Sequence, residues 1–251
     1  MYKRAGETPL ACLARFKESH PAYADTPMTY LGRLDPLAEG VLLLAPGSIP
    51  QEVRDDMLAF PKEYVAGVLI GFSTDTYDIL GRITHEADAK SLRMIHAPQI
   101  MGAVAGLVGK RTQAYPPYSS KPVAGKPLFQ WAREGKIDHI EIPTHEIEVY
   151  SAILERISHI SAPKLLARIE GSVQCVEGDF RQEEIRADWQ RTLGPRYQES
   201  FPVLTIRFTV SSGTYIRALA HELGSVLSAH GCLLSLVRTA VGEHTSDASI
   251  R

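Results

Sequence analysis

The chain has 251 residues, with 27 Lys and Arg against 29 Asp and Glu and a formal net charge of −2. Its 44% apolar and 22% charged content is ordinary for a globular protein and excludes a disordered, collagenous or coiled-coil chain. The length is enough for a self-sufficient core, and the charge balance means that a nucleic-acid partner would have to meet clustered rather than abundant basic residues.

In chain order, Val41–Ala45 is a short apolar run closed by Pro46-Gly47, which predicts one buried strand. Tyr64–Phe72 is β-branched and apolar. It leads through a polar turn to Arg82–Thr84, a hairpin-like return. From Lys110 to Lys136, six basic residues face only Glu134, and Tyr115, Tyr118, Phe129, Trp131 and several prolines are interleaved. Such a segment is either a solvated loop or an arm for a phosphate backbone with exposed bases. Asp179 followed by Gln182 reads as a capping box, with Ile185, Trp189 and Leu193 as the apolar stripe and Gly194-Pro195 as the stop. Val203–Val210 alternates, turning Leu204, Ile206, Phe208 and Val210 to one side. After Ser211-Ser212-Gly213, Tyr215–Ser228 reads as a helix entered from a Ser/Thr-rich cap. Strands and helices lack strict β-α-β spacing, so the fold class expected is α/β (α+β), with a mixed, largely antiparallel sheet flanked by helices.

Cys12, Cys175 and Cys232 lie far apart without a C-x-x-C, which argues against a disulfide framework or a cysteine zinc site. The first twenty residues contain no signal-type apolar core, and no run approaches the ~20 apolar residues of a membrane span. A cytoplasmic protein is expected. His221-Glu222 is not a zincin motif, because Ser225 stands where its second histidine belongs. Neither a phosphate-binding P-loop nor a G-x-G-x-x-G occurs, so neither a metal nor a nucleotide cofactor is expected.

The informative motif is Gly32–Leu44, GRLDPLAEGVLLL. Pro36 biases Asp35 toward extended backbone, and Gly32 and Gly40 permit sharp turns on either side. Asp35 is therefore either a turn cap or a carboxylate presented from a loop rooted in an apolar strand.

This motif resembles the aspartate loop of the pseudouridine synthases, including the RsuA type that acts on ribosomal RNA. Four further segments resemble the TruB type in order. They are Lys3–Thr8; Lys62-Glu63-Tyr64 with Gly71 and Thr74–Asp78; Gln113 with Pro116–Lys121, Gly125 and Ala132–Gly135; and Ser211–Arg217 with Leu236–Thr239. The resemblance implies the pseudouridine synthase catalytic fold and an isomerase that needs no cofactor. It implies that a T-loop uridine of tRNA is turned into pseudouridine; the alternatives are a ribosomal RNA substrate or RNA binding without turnover. It implies Asp35 as nucleophile or base, paired with Arg217, a cation that lowers a carboxylate pKa by about 1–3 units. Tyr64 is implied as the residue that stacks on the flipped base, though it also suits a strand core. Tyr215 and Leu236 are implied to line the base pocket, Leu236 being equally suited to ordinary core. Lys3, Lys62, Lys121, Lys126 and Arg133 are implied RNA contacts.

Two positions depart from the family pattern. Tyr30 stands where the family has a histidine beside the flipped base, and Arg33 stands where it prefers a small residue. Both are expected to contact substrate. Residues 155–200 read as an insertion, and residues 110–136 as the RNA-clamping thumb. The chain ends soon after Gly242, so one catalytic domain over residues 1–251, without the family's C-terminal PUA barrel, and a monomer are expected.

Overall fold

A computed structural model describes residues 1–251. An eight-stranded sheet runs, in spatial order, Tyr2–Lys3, Glu39–Val41, Gly231–Val241, Lys62–Ile70, Ser200–Val210, Thr144–Ser161 and Gly109–Ala114, with His244–Thr245 attached to Gly231–Val241. All pairings are antiparallel except that of Gly231–Val241 with Glu39–Val41. The mixed, largely antiparallel sheet read from the sequence is therefore present. The alternation of Ser200–Val210 is also as read, with Leu204, Ile206, Phe208 and Val210 all buried.

Four local readings are corrected. Val41–Ala45 is not one strand. Glu39–Val41 joins the main sheet and Leu43–Pro46 pairs with Met28–Leu31, with the chain changing sheets at buried Leu42. A continuous apolar run has no period to reveal that break. The strand at Tyr64 begins at Lys62 and stops at Gly71 (φ +119°), after which Phe72–Thr74 pairs with Ile83–Glu86. The helix read from Asp179 begins at Gln182, behind Arg181 in the left-handed region (φ +60°). Gln182 turns back to accept the Phe180 N–H (3.0 Å) rather than serving a cap at Asp179. The Ile216–Val226 helix has no hydroxyl cap either: Ser211 Oγ accepts from Glu148 N–H and Thr214 Oγ1 bonds the Ser211 carbonyl. Gln113 instead clamps Tyr215, accepting its N–H (2.8 Å) and donating to its carbonyl (3.2 Å).

The Ile216–Val226 helix packs on Gly231–Val241 at a point where only glycine fits. A Cβ on Gly224 would stand 1.9 Å from the Gly231 nitrogen. That closeness brings Arg217, in the helix's first turn, over the sheet's central strands.

The region read as an insertion contains the end of the long Thr144–Ser161 strand and two packed helices, Ala162–Cys175 and Gln182–Leu193. They share the main core. Trp189 is fully buried, with Phe72 5.2 Å away ring to ring, and Phe72 in turn meets Phe201 at 4.8 Å. Arg82 and Arg191 also close on the buried carboxylate of Asp188 (2.8 and 2.5 Å). Because Trp189 is fully buried against Phe72, Trp189→Ala is expected to lower stability by about 3–5 kcal/mol in urea unfolding, with unfolding still a single cooperative transition. Independent melting of the helical pair would show that it is an appendage.

Candidate active site

The loop Gly32–Gly40 has little regular structure of its own, so its shape depends on what its carbonyls meet. Two buried cations meet them. Arg238, 1% exposed, donates from Nε to the Val41 carbonyl (2.7 Å), from Nη1 to Arg33 (3.3 Å) and from Nη2 to Gly32 (3.2 Å). Lys3, fully buried, donates from Nζ to the carbonyls of Ala38 (2.6 Å) and Asp35 (3.3 Å). Burial pushes the Lys3 ammonium down to about 8. Asp35 closes a turn by accepting the Ala38 N–H (3.0 Å). Gly40, at φ +111°, pairs in register with Arg238, and a Cβ there would lie 2.2 Å from the Arg238 carbonyl oxygen.

The loop presents Asp35 to Arg217. Arg217 Nε donates to Asp35 Oδ2 at 2.8 Å, while Nη1 and Nη2 hold the carbonyls of Thr76 (2.9 Å) and Tyr118 (3.0 Å). Arg217 is 4% exposed and the Asp35 side chain 38%, so a fixed guanidinium meets a carboxylate that opens to solvent. Burial works against the Arg217 charge, but Asp35 and the buried Asp78 outweigh it and raise its pKa. Asp78 accepts from Thr76 Oγ1 (2.8 Å) and the Leu80 N–H (2.9 Å). Burial pushes its carboxyl up to about 6, against the pull of Arg217 and with the push of Asp35.

Two cavities flank this pair. One, of about 380 Å³, brings Tyr64, Tyr215 and Leu236 together with Asp35 and Arg217. The other, of about 420 Å³, carries Tyr30, Phe129, Phe180 and Asp78 against the same pair. Arg33 borders both and reaches across to Ser120 Oγ (2.8 Å). Tyr30 therefore stands in the second cavity, away from Tyr64. No group of three or more His, Cys, Asp or Glu side chains is arranged to hold a metal ion.

Residues 23–180 match the TruB family pseudouridylate synthase (N terminal domain). The chain belongs to this family. The tRNA pseudouridine synthase B of Thermus thermophilus is 33% identical over 216 residues, covering 85% of this chain and 63% of that protein. The enzyme of the same name from Nostoc sp. is 30% identical over 237 residues, covering 94% and 64%. That from Syntrophomonas wolfei is 33% identical over 216 residues, covering 85% and 56%. The chain thus spans somewhat under two thirds of the length of these TruB-family relatives. Among solved structures, the archaeal box H/ACA sRNP Nop10-Cbf5 complex and a Cbf5-Nop10-Gar1 complex contain chains with TM-scores of 0.53 and 0.56 at 18% identity. Each match covers 98% of this chain and about half of the other, and shows a shared fold.

Not every cation expected at the RNA surface lies there. Lys3 is sealed beneath the aspartate loop. Lys62, 7% exposed, spends its ammonium on the Leu58 carbonyl (2.5 Å) and Ser212 Oγ (2.9 Å). Burial and the Arg238 charge lower it to about 8. Lys3 braces backbone and Lys62, at the border of the first cavity, joins Leu58 to Ser212, so neither ammonium is free, unlike the exposed RNA contacts expected of them. In the thumb, Lys126 pairs with Glu134 (2.6 Å) and covers the Trp131 ring (3.7 Å), and Arg133 pairs with Asp179 (3.1 Å). Lys121 rests over Tyr115 (5.0 Å) with no carboxylate partner.

Sequence reasoning assigned no role to Arg238 or Asp78. A lone charge in the otherwise uncharged, mostly apolar strand Gly231–Val241 is the signal that could have found Arg238. Asp78 was visible only as the end of a matched motif. Because its pKa lies above that of an unfolded aspartate, the native state holds its proton more tightly between about pH 4 and 6. Stability therefore falls as pH rises through that window, and the full cost remains above pH 6. Asp78→Asn is expected to raise the thermal midpoint at pH 7.5 relative to wild type and to lose that advantage near pH 4. An equal shift at both pH values would contradict the assignment.

Proposed function

We propose that this chain isomerises a uridine of a tRNA T-loop to pseudouridine, acting in the cytoplasm as a monomer on an extruded nucleotide. The observation that carries the reading is the Asp35–Arg217 pair at the floor of a cavity walled by Tyr64, Tyr215 and Leu236. The names of the TruB-family relatives support tRNA as the substrate.

Arg217 holds Oδ2 of Asp35, which lines the cavity, and Oδ1 has no hydrogen-bond partner in the protein. From there the carboxylate serves either route to the product: attack on the ribose C1′, or removal of a ribose proton. In both, the N1–C1′ bond breaks, the uracil turns, and C5 bonds to C1′; in the first route this displaces the Asp35 oxygen from C1′, and in the second the ribose proton is returned from Asp35. C5 loses its proton and N1 gains one. Tyr64, on the central strand, offers a ring to stack on the base and a phenol within the same cavity to take part in that proton transfer. A stacked base is worth roughly 1–3 kcal/mol, which offsets part of the cost of leaving the helix stack. Arg217 contributes by fixing the carboxylate, since its other donors are anchored to backbone and cannot swing away. Tyr215 and Leu236 close the apolar sides of the cavity, and Lys121, without a carboxylate partner, is a thumb cation open to a phosphate.

Tritium release from tRNA transcripts labelled at uridine C5 tests this reading. Wild type releases tritium at the T-loop uridine, Asp35→Asn releases none, and Arg217→Met is slowed by at least about 100-fold. Release from ribosomal RNA but not tRNA would move the substrate, and RNA binding without release from any transcript would leave a binding protein. In the thumb, Lys121→Ala is expected to weaken tRNA binding and to lower its salt slope by about one. Lys126→Ala should change the slope less, because Glu134 already neutralises Lys126. Equal slopes for both would show that the Glu134 pair opens on RNA.

A further inference from the structure

The second cavity is walled in part by the segment that the family resemblance left without a role. Between the two helices of that segment, residues 176–181 bring Phe180 and Arg181 to the rim opposite Asp35. The loop is held by contacts within the protein. Gln182 Nε2 donates to the carbonyls of Gly178 (2.6 Å) and Val176 (3.3 Å). Arg181 forms an ion pair with Asp75 (2.6 Å) and lies over the Tyr118 ring (4.5 Å). Asp179 binds Arg133 of the thumb. Phe180 is nonetheless 36% exposed, facing a cavity that Phe129, Tyr118 and Tyr30 also line.

The charges sort in a telling way. Arg181 is neutralised by Asp75 and Arg133 by Asp179. Arg33, the third arginine at the rim, has only a neutral partner, Ser120 Oγ, and borders both cavities. A cavity of about 420 Å³ with aromatic walls lies within the usual ~300–1,000 Å³ of ligand sites. Aromatic faces suit a planar base, and an uncompensated guanidinium suits a phosphate.

We infer that the 176–181 loop completes a subsite for the nucleotide adjacent to the target uridine, its base against Phe180 and Phe129, with Arg33 gripping the phosphate that links the two. This rests on the reading of the Asp35 cavity as the target site and adds a second, neighbouring nucleotide to it. The helical pair then acts as part of the RNA-binding surface, and Arg33 as a residue that sets the spacing between two bases.

The test uses the full chain and a stem-loop RNA with uridine in its loop, read by fluorescence anisotropy. Companion RNAs carry an abasic nucleotide on the 5′ or the 3′ side of that uridine, or a methylphosphonate in place of the linking phosphate. Tritium release by wild type is followed in parallel. Wild type should lose roughly 10-fold in affinity for one of the two abasic RNAs, and Phe180→Ala should lose a similar factor on intact RNA yet less than about 2-fold more on the abasic one. Arg33→Ala should be the variant indifferent to the methylphosphonate, which costs wild type roughly 10-fold. If wild type releases tritium but binds both abasic RNAs as tightly as intact RNA, the subsite is wrong and the activity stands. Losses that simply multiply in Phe180→Ala would also overturn it. A wild type that neither binds nor turns over any of these RNAs overturns both readings.

Discussion

The catalytic aspartate proposed here sits on a loop that cannot hold itself, and the constraint on which the site depends is the set of cations beneath it. Arg238 and Lys3 collect the carbonyls of residues 32–41, and Arg217 takes the carboxylate. Buried cations are costly unless paired or hydrogen-bonded. Here each donor group meets backbone oxygens or a carboxylate, and the cost is offset by fixing the loop from two strands and one helix. Because a loop rooted this way has one arrangement, the Asp35 carboxylate faces the two cavities without needing to be ordered by substrate.

The same economy explains why the helical pair Ala162–Cys175 and Gln182–Leu193 is more than a surface addition. Its Trp189 completes the aromatic cluster with Phe72 and Phe201. Asp188 ties it to Arg82, and Arg181 ties it to Asp75 in the turn whose Thr76 carbonyl anchors Arg217. Changes in the pair would therefore reach the active site through packing and hydrogen bonds. The neutralised thumb cations follow from the same compactness: Glu134 and Asp179 stand where RNA phosphates would otherwise be the nearest anions.

Much of this was legible before the structure. The alternating Val203–Val210 pattern placed a strand correctly, and the Gly32–Leu44 motif picked out the loop whose carboxylate meets Arg217. What the residues could not give was the destination of each charge. Lys3 and Lys62 look like surface cations in a sequence, because nothing local says that their ammonium groups will find carbonyls across the fold. Arg238 stood only within a matched motif, and its place in an otherwise uncharged strand did not say which carbonyls it would meet. The apolar run at Val41–Ala45 hid a change of sheet, since both halves are buried. The helix Ala162–Cys175 carried its own signal, with Pro163 near its start and Leu165, Ile169 and Val173 at four-residue spacing, but it lay inside a stretch read as an insertion. The Asp179 cap failed because its segment is drawn toward the cavity by Arg133 and Asp75, contacts of long range that no capping rule contains.

The most direct measurement of the central interaction is a double-mutant cycle in urea unfolding between Asp35→Asn and Arg217→Met. The side chain of Asp35 is partly exposed, so solvent screening reduces the pair below a fully buried charged hydrogen bond, and a coupling of about 1 kcal/mol is expected. Additivity within about 0.3 kcal/mol would show that the two groups do not hold one another, and the account of the site would fail with it.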